Sequence, residues 1–288
     1  MTKKTIILNT AIQSKYSGLT RKSKRLADYV LANPDKAVFM TTRELAVAVG
    51  VSEATVVRFV RQLEYPSYSF FIKSLRDLID TKLTLTERSK ITNAPVKSED
   101  KELEKITNQD IENIRSLSKS IDPKEVKKIR KVLIEAESVH IVGSRLSYTS
   151  AYYMGWTMAK IRENVHIYKG SDKTTIDSLI FANQKSVVVI IATSRYPNDL
   201  IQIGKFVNRR KLPIILLTDS SSCPLAPISD HVLIAPLQAI PFLGNPASLI
   251  SLITYLVHSL AAEMGEELRI HQEKLEQVYR ENDILFYY

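Results

Sequence analysis

Two stretches of this 288-residue sequence combine residue types at spacings that could do chemistry. The first runs Thr41-Thr42-Arg43-Glu44-Leu45-Ala46-Val47-Ala48-Val49-Gly50-Val51-Ser52-Glu53-Ala54-Thr55-Val56-Val57-Arg58-Phe59. Thr41 or Thr42 can cap a helix whose inner face is Leu45, Ala46 and Val49. Gly50 supplies the left-handed residue that ends that helix. Val51 is the buried residue of the turn, Ser52 caps a second helix, and Val56, Phe59, Val60 and Leu63 form its inner face. Glu53, Thr55, Arg58, Arg61 and Gln62 are left outside. Small Ala46 lets the helices cross closely, and a short turn before a helix with a polar outer face is a geometry that enters a major groove. By position, Ser52, Glu53 and Thr55 are candidates for base edges, with Arg58 one turn on. Arg43, Arg61 and Lys73 are candidates for phosphates, and Thr42 is grouped with Arg43. The plainer alternative is a helical hairpin in a bundle.

The second pair of motifs lies beyond residue 138. The run Val139–Val142 ends at Gly143-Ser144-Arg145-Leu146-Ser147, before a helical pattern. The run Val187–Ile191 ends at Ala192-Thr193-Ser194-Arg195-Tyr196-Pro197, again before a helical pattern. Hydroxyls beside free N–H groups at a helix start favour an anion such as phosphate. Ser144, Ser147, Thr193 and Ser194 are the candidate phosphate contacts, and Arg145 is a further donor. Either loop alone is equally a plain strand-to-helix turn; two at one sheet edge make a stronger case. Thr218-Asp219-Ser220, ending the next β-branched run, is expected only to shape its loop.

The elements around these motifs fall into two textures. Residues 1–80 read as helices only, with apolar residues at helical spacing in Leu26, Tyr29 and Val30 and an interruption at Asn33-Pro34. From about residue 122, five β-branched runs (Val139–Val142, Val165–Tyr168, Val187–Ile191, Ile214–Leu217, Val232–Ile234) alternate with helical stretches. That alternation predicts a doubly wound parallel five-stranded sheet. The expected domains are therefore an all-α unit over 1–82, a linker and connecting helix over 83–121, and an α/β unit over 122–288. The connecting helix is amphipathic through Leu103, Ile106, Ile111, Ile114 and Leu117. Two final helices are expected over Ala247–Met264 and Glu266–Glu281. The apolar tail Ile284-Leu285-Phe286-Tyr287-Tyr288 is expected to pack on the core or a neighbouring subunit.

Charge follows the same division. Residues 1–90 hold 16 basic and 8 acidic side chains, whereas the rest hold 24 and 23. A basic segment joined to a neutral one suits a polyanion-binding domain attached to a domain with another task. The single Cys223 excludes a disulfide framework and a multi-cysteine zinc site, and fits a reducing compartment. No metal or other cofactor is expected. No segment approaches about 18 uninterrupted apolar residues, so a cytoplasmic location without membrane insertion is expected.

Residues 19–68 resemble the RpiR family of bacterial regulators. The resemblance is carried by Leu19-Thr20, Ala27-Asp28-Tyr29-Val30-Leu31-Ala32-Asn33-Pro34, Glu44-Leu45-Ala46, Val51 to Phe59 and Leu63-Glu64-Tyr65-Pro66-Ser67-Tyr68. The family usually has Gly where Glu64 stands. Members follow this domain with a sugar isomerase (SIS) domain, which agrees with the α/β reading of residues 122–288. The SIS pattern Gly-x-Gly-x-Ser is similar to Gly143, Arg145 and Ser147, with Arg145 in the second Gly position. The pattern Ser-x-Ser-Gly-x-Thr retains Ser194 but not Ala192 or Pro197. Arg195-Tyr196 matches a pair common in the regulators, which adds Arg195 to the ligand contacts. The resemblance points to the segment Lys169-Gly170-Ser171-Asp172, and to Gly244 and Asn245, for sugar specificity. It also points to His271 reaching a partner's site, although a lone helical His is more often structural.

The resemblance implies a transcription regulator, a repressor before an activator, that grips double-stranded operator DNA as a homodimer or homotetramer. Its effector would be a phosphorylated sugar, with N-acetylmannosamine or glucosamine 6-phosphate first and pentose phosphates second. A sugar-phosphate isomerase is the rival, but SIS isomerases carry a Glu base after the second strand. Here Asp172 is the only carboxylate in that segment, and Glu163 precedes the strand. An SIS domain that only dimerises is the other rival.

Overall fold

The computed structural model describes residues 8–79, 86, 99–170, 172, 174–237 and 244–286. The chain divides into two compact units, Met1–Ala94 and Pro95–Tyr288. Residues 83–85 and 87–98 of the expected linker and connecting helix lie outside the described residues. The connecting helix belongs with the second unit.

The first unit is helical. Its elements are α1 (Leu8–Lys15), α2 (Arg21–Ala32), α3 (Pro34–Ala37), α4 (Thr42–Val49), α5 (Glu53–Gln62) and α6 (Tyr68–Ile79). Asn33 adopts φ −132°, ψ 53°, so the chain leaves the helical region before Pro34 and restarts as α3. One core joins these helices through Leu26, Val30, Leu45, Val49, Phe59 and Phe71. The Phe59 and Phe71 rings meet edge to face at 5.9 Å, which ties α5 to α6.

The second unit contains α7 (Glu99–Ser120), α8 (Pro123–Glu135), β1 (Ser138–Gly143), α9 (Ser147–Met158), β2 (Val165–Lys169), α10 (Thr174–Ile180), β3 (Ser186–Ala192), α11 (Asn198–Arg209), β4 (Ile214–Thr218), β5 (His231–Ile234) and α12 (Ala247–Glu281). The five strands are parallel in the order β2-β1-β3-β4-β5. Alternate strand residues face opposite sides. Ile141, Val189, Ile191 and Leu217 pack under α8, α9 and α12. Val142, Val188, Ile190 and Leu216 pack under α10 and α11. Burial on both faces is why these runs are almost wholly apolar.

The order reverses between β1 and β3, because the chain goes outward to β2 and then returns to the other side of β1. In an open parallel sheet the crevice for a ligand lies at that point, beyond the carboxyl ends of the strands. Two glycines permit close packing of α9 on the sheet, Gly143 at the end of β1 and Gly155 further along the helix. A Cβ on Gly143 would come 2.6 Å from the Ser147 carbonyl oxygen and 2.7 Å from the Ala151 Cβ. A Cβ on Gly155 would lie 2.2 Å from Ile167.

Gly265 (φ 51°, ψ −120°) interrupts α12 and separates the two helical stretches expected from the sequence. Among the described residues, α12 is long and apolar enough to cross a membrane by length and composition. Its apolar residues Leu249, Leu252, Ile253, Leu256 and Leu260 are packed in the core of the second unit. The tail departs from expectation within the chain: Ile284, Leu285 and Phe286 are exposed rather than packed in its core.

Candidate functional site

The first candidate surface is built by α4, the turn at 50–52 and α5. Thr41, rather than Thr42, caps α4: its hydroxyl accepts the Glu44 N–H at 3.2 Å, and Glu44 accepts the Thr41 N–H at 2.7 Å. The Thr41 N–H holds the Glu44 carboxyl below the usual carboxylate range. Gly50 takes φ 68°, ψ 48°, and Arg25 donates to the last α4 carbonyl, Val49 O, at 2.5 Å. Ser52 caps α5 by accepting the Thr55 N–H at 3.3 Å. After α5, Glu64 occupies the left-handed region at φ 66°. The turn that usually carries Gly is therefore kept by a residue with a side chain, which pairs with Lys15 at 2.5 Å.

This geometry sorts the expected readers. Ser52, Glu53, Arg58 and Arg61 are exposed on α5, as is Arg43 on α4. Thr42 is half-buried and donates to Glu53 at 2.9 Å, so these two are coupled to each other. Thr55 is a correction: it is only 7% exposed and sits 2.9 Å from the Ser52 hydroxyl. It closes the cap instead of reaching outward. The side chain of Lys73, on α6, lies outside the described residues. The outward face also includes the apolar Ala54 and Val57, which are absent from the polar candidates. Apolar groups there can meet thymine methyls, and their exposure beside Glu53 and Arg58 is the signal.

The second candidate surface lies at the ends of β1 and β3. Ser147, at the start of α9, and Thr193, in the loop after β3, place their hydroxyls 2.9 Å apart; the Thr193 N–H also donates to Ser147 at 3.3 Å. Ser144 is buried and donates to Asp199 at 2.8 Å. Ser194 donates to Asp219 through its N–H at 3.0 Å and through its hydroxyl, and Tyr196 donates to the other oxygen at 3.2 Å. Of the four expected hydroxyls, those of Ser147 and Thr193 meet each other, while those of Ser144 and Ser194 turn to carboxylates. Asp199 holds Ser144, and Asp219 holds Ser194, the loop-shaping role expected for the Thr218-Asp219-Ser220 segment. Burial pushes the Asp219 carboxyl up from its ordinary pKa.

Arg145 (φ 53°) and Arg195 (φ 67°) both adopt left-handed backbone at the tips of these loops. Both side chains are exposed. A non-glycine residue held there marks a conformation fixed by its surroundings.

The expected rim residues are not all drawn to this site. Asp172 accepts the Thr174 N–H at 3.0 Å and starts α10, an interaction that holds its exposed carboxyl below the ordinary range. Asn245 starts α12 by accepting the Ala247 N–H at 2.9 Å, and donates to Asp110 of α7 at 2.7 and 2.8 Å. Its amide serves the join between two helices. The neighbouring Gly244 does approach the first loop, since a Cβ there would lie 2.4 Å from Leu146. His271 sits 2.9 Å from the carbonyl of Ala159, just past the end of α9 remote from Ser147. Within this chain it is therefore not a site residue. Glu163 precedes β2 and pairs with Lys274 at 2.8 Å, away from the strand ends.

A helix-turn-helix unit with a basic surround, joined to a parallel sheet carrying hydroxyl loops at its switch point, defines a DNA-binding regulator with a sensor-type domain. Residues 6–80 match the helix-turn-helix domain of the rpiR family, and residues 132–263 match the SIS domain. The chain belongs to the RpiR family of helix-turn-helix transcriptional regulators. A helix-turn-helix-type transcriptional regulator of Clostridium perfringens is 26% identical over 217 residues, covering 74% of this chain and 76% of that one. The sugar isomerase domain of an RpiR transcription factor from Sphaerobacter thermophilus superposes with a TM-score of 0.58 at 22% identity, covering 60% of this chain and 97% of that one. NanR of Vibrio vulnificus, complexed with ManNAc-6P, superposes with a TM-score of 0.55 at 20% identity, covering 97% of this chain and 100% of that one.

Proposed function

We propose that this regulator represses sugar-catabolism genes and is controlled by a phosphosugar bound at the loops after β1 and β3. The observation carrying this reading is the 2.9 Å approach of Ser147 to Thr193 across the β1/β3 switch point. It joins two hydroxyl-bearing turns at the place where open parallel sheets bind ligands. The phosphorylated amino sugar in the Vibrio NanR structure supports N-acetylmannosamine or glucosamine 6-phosphate as first candidates. The DNA contacts proposed are Ser52, Arg58, Arg61 and Arg43, with the Thr42–Glu53 pair at the start of both helices. The proposed ligand contacts are Ser144, Arg145, Ser147, Thr193, Ser194 and Arg195.

The site is read as binding without turnover. Asp172, the carboxylate nearest the position of an isomerase base, is exposed and committed to capping α10. Subunits would pair through the SIS domains and flanking helices as a homodimer or homotetramer. The exposed Tyr152 and Trp156 on α9 and Tyr255 on α12 support an apolar contact there. Two readers would then meet a two-fold symmetric operator in the cytoplasm, where the chromosome lies.

The ligand acts only through its preference for one arrangement of the readers. A thermal-shift panel of amino-sugar and pentose phosphates, followed by operator titration with each stabilising ligand, tests this. The reading expects stabilisation without isomerisation and a change in operator affinity at saturating ligand. Absence of any thermal shift would leave the SIS domain as a dimerisation scaffold.

A further inference from the structure

We propose that Asp219 is a built-in competitor for the ligand's phosphate, so that phosphosugar binding is coupled to proton uptake by this carboxyl. The inference rests on the reading of the two loops as a phosphosugar site, and concerns how that site is regulated.

Asp219 follows β4 and takes both donors of Ser194 on one oxygen and the Tyr196 hydroxyl on the other. Ser194 belongs to the second phosphate loop. A hydroxyl has a single hydrogen, so Ser194 cannot donate to Asp219 and to a phosphate together. If Ser194 turned to a phosphate, an ionised Asp219 would lose its closest hydroxyl donor while remaining buried. It would also face a ligand carrying close to two negative charges. Both changes disfavour the charged carboxyl.

Protonation removes the conflict. A neutral carboxyl places no second negative charge beside the phosphate, and its own O–H becomes a donor. The surroundings already lean this way, since burial raises the pKa of Asp219. The titratable groups facing it are Tyr196, from the loop after β3, and Cys223, after β4. Burial pushes both upward, which keeps each neutral near physiological pH. Among the described residues no cation pairs with Asp219. The proton therefore has one destination among these groups. Asp199 is held differently, with Ser144 on one oxygen and the Leu200 N–H at 2.8 Å on the other, within the first turn of α11.

The test is calorimetric titration of the full-length protein with glucosamine 6-phosphate and N-acetylmannosamine 6-phosphate, in buffers of different ionisation heat. At about pH 8 the free phosphate is a dianion. The expected result is net proton uptake on binding, with affinity falling toward tenfold per pH unit as pH rises. Asp219→Asn keeps an acceptor for Ser194 without the charge. It should bind about tenfold tighter or better, with the uptake lost. Glucose 6-sulfate, whose anion does not titrate, separates protonation of the ligand from protonation of Asp219, because uptake persists with it only if the protein takes the proton. Binding by the wild type without proton uptake overturns the inference and leaves the phosphosugar reading standing. If no sugar phosphate binds wild type or variant at any pH, the site reading fails and the inference with it. Should Asp219→Asn not fold, the buffer dependence of the wild type still decides.

Discussion

The hydroxyl of Ser147 lies 2.9 Å from that of Thr193, 46 residues on, and joins the start of α9 to the loop after β3. One side chain thus sets the spacing of the two loops, and its hydroxyl also accepts the Thr193 N–H. Ser147→Ala leaves that N–H and the Thr193 hydroxyl without this partner. A loss of about 1–3 kcal/mol in the stability of the second unit is expected, together with weaker phosphosugar binding. Calorimetric unfolding and ligand titration measure the two effects. A variant with unchanged melting and unchanged affinity would show that the link does not organise the loops.

Gly143→Ala tests the fit of α9 against β1. The new Cβ would meet backbone of Ser147 at 2.6 Å and Ala151 at 2.7 Å. Neither can yield without moving the helix, so about 1–3 kcal/mol of destabilisation is expected. The expected readout is a lower denaturation midpoint in urea with the slope retained.

Glu64→Gly should stabilise the first unit. Glu64 sits at φ 66°, which costs a residue with a Cβ roughly 1–2 kcal/mol. Gly removes that cost but gives back part of it through greater freedom in the unfolded chain. Loss of the exposed pair with Lys15 is a small term. The net expectation is a gain of about 0.5–1 kcal/mol, seen as a rise in the melting temperature of the helical unit. A fall would show that the Glu64–Lys15 pair outweighs the backbone conformation.

Acid should weaken the second unit through His140. This buried side chain stacks on His166 with ring centroids 5.0 Å apart, and burial first, then the His166 charge, lowers its pKa to about 4. The unfolded chain binds a proton near pH 6.5, whereas the folded one does not until about pH 4. The unfolded state is therefore the better proton acceptor in that window. Stability is fully present above about pH 6.5 and declines as pH falls toward 4, by at most about 3 kcal/mol. Urea unfolding across this range reads the slope, and His140→Gln should remove its share of it.

Arg58 and Arg61 should separate by the kind of DNA contact they make. Arg58→Ala is expected to relax preference at one base pair by about 1–3 kcal/mol. Arg61→Ala should weaken all sequences alike and lower the salt dependence by about one phosphate contact. Competition binding on a set of single-base operator variants tells them apart. A uniform loss for Arg58→Ala would reassign it to the phosphate backbone.

The helices of the reader and the five strands were legible because their signals are local. Period and capping chemistry act over a few residues, so Thr41, Gly50, Ser52 and the apolar run Val187–Ile191 announce their roles in one dimension. The left-handed turn at Glu64 was partly legible, through the glycine its resemblance leads one to expect. The fate of individual polar side chains was not. Thr55 turns inward because it closes the cap made by Ser52. Asn245 is claimed by Asp110, 135 residues earlier, and His271 by the carbonyl of Ala159. Asp199 and Asp219 take the hydroxyl hydrogens of Ser144 and Ser194 that were expected to meet a phosphate.

Hydrogen bonding in a packed protein is a competition for nearby partners, and those partners are set by the sheet order β2-β1-β3-β4-β5. The sequence by itself determined a basic helix-turn-helix reader joined to a parallel α/β domain with hydroxyls after two strands. Only the tertiary structure decided that the two loops meet at the strand switch point, and that carboxylates from the following helix and strand hold half of their hydroxyls.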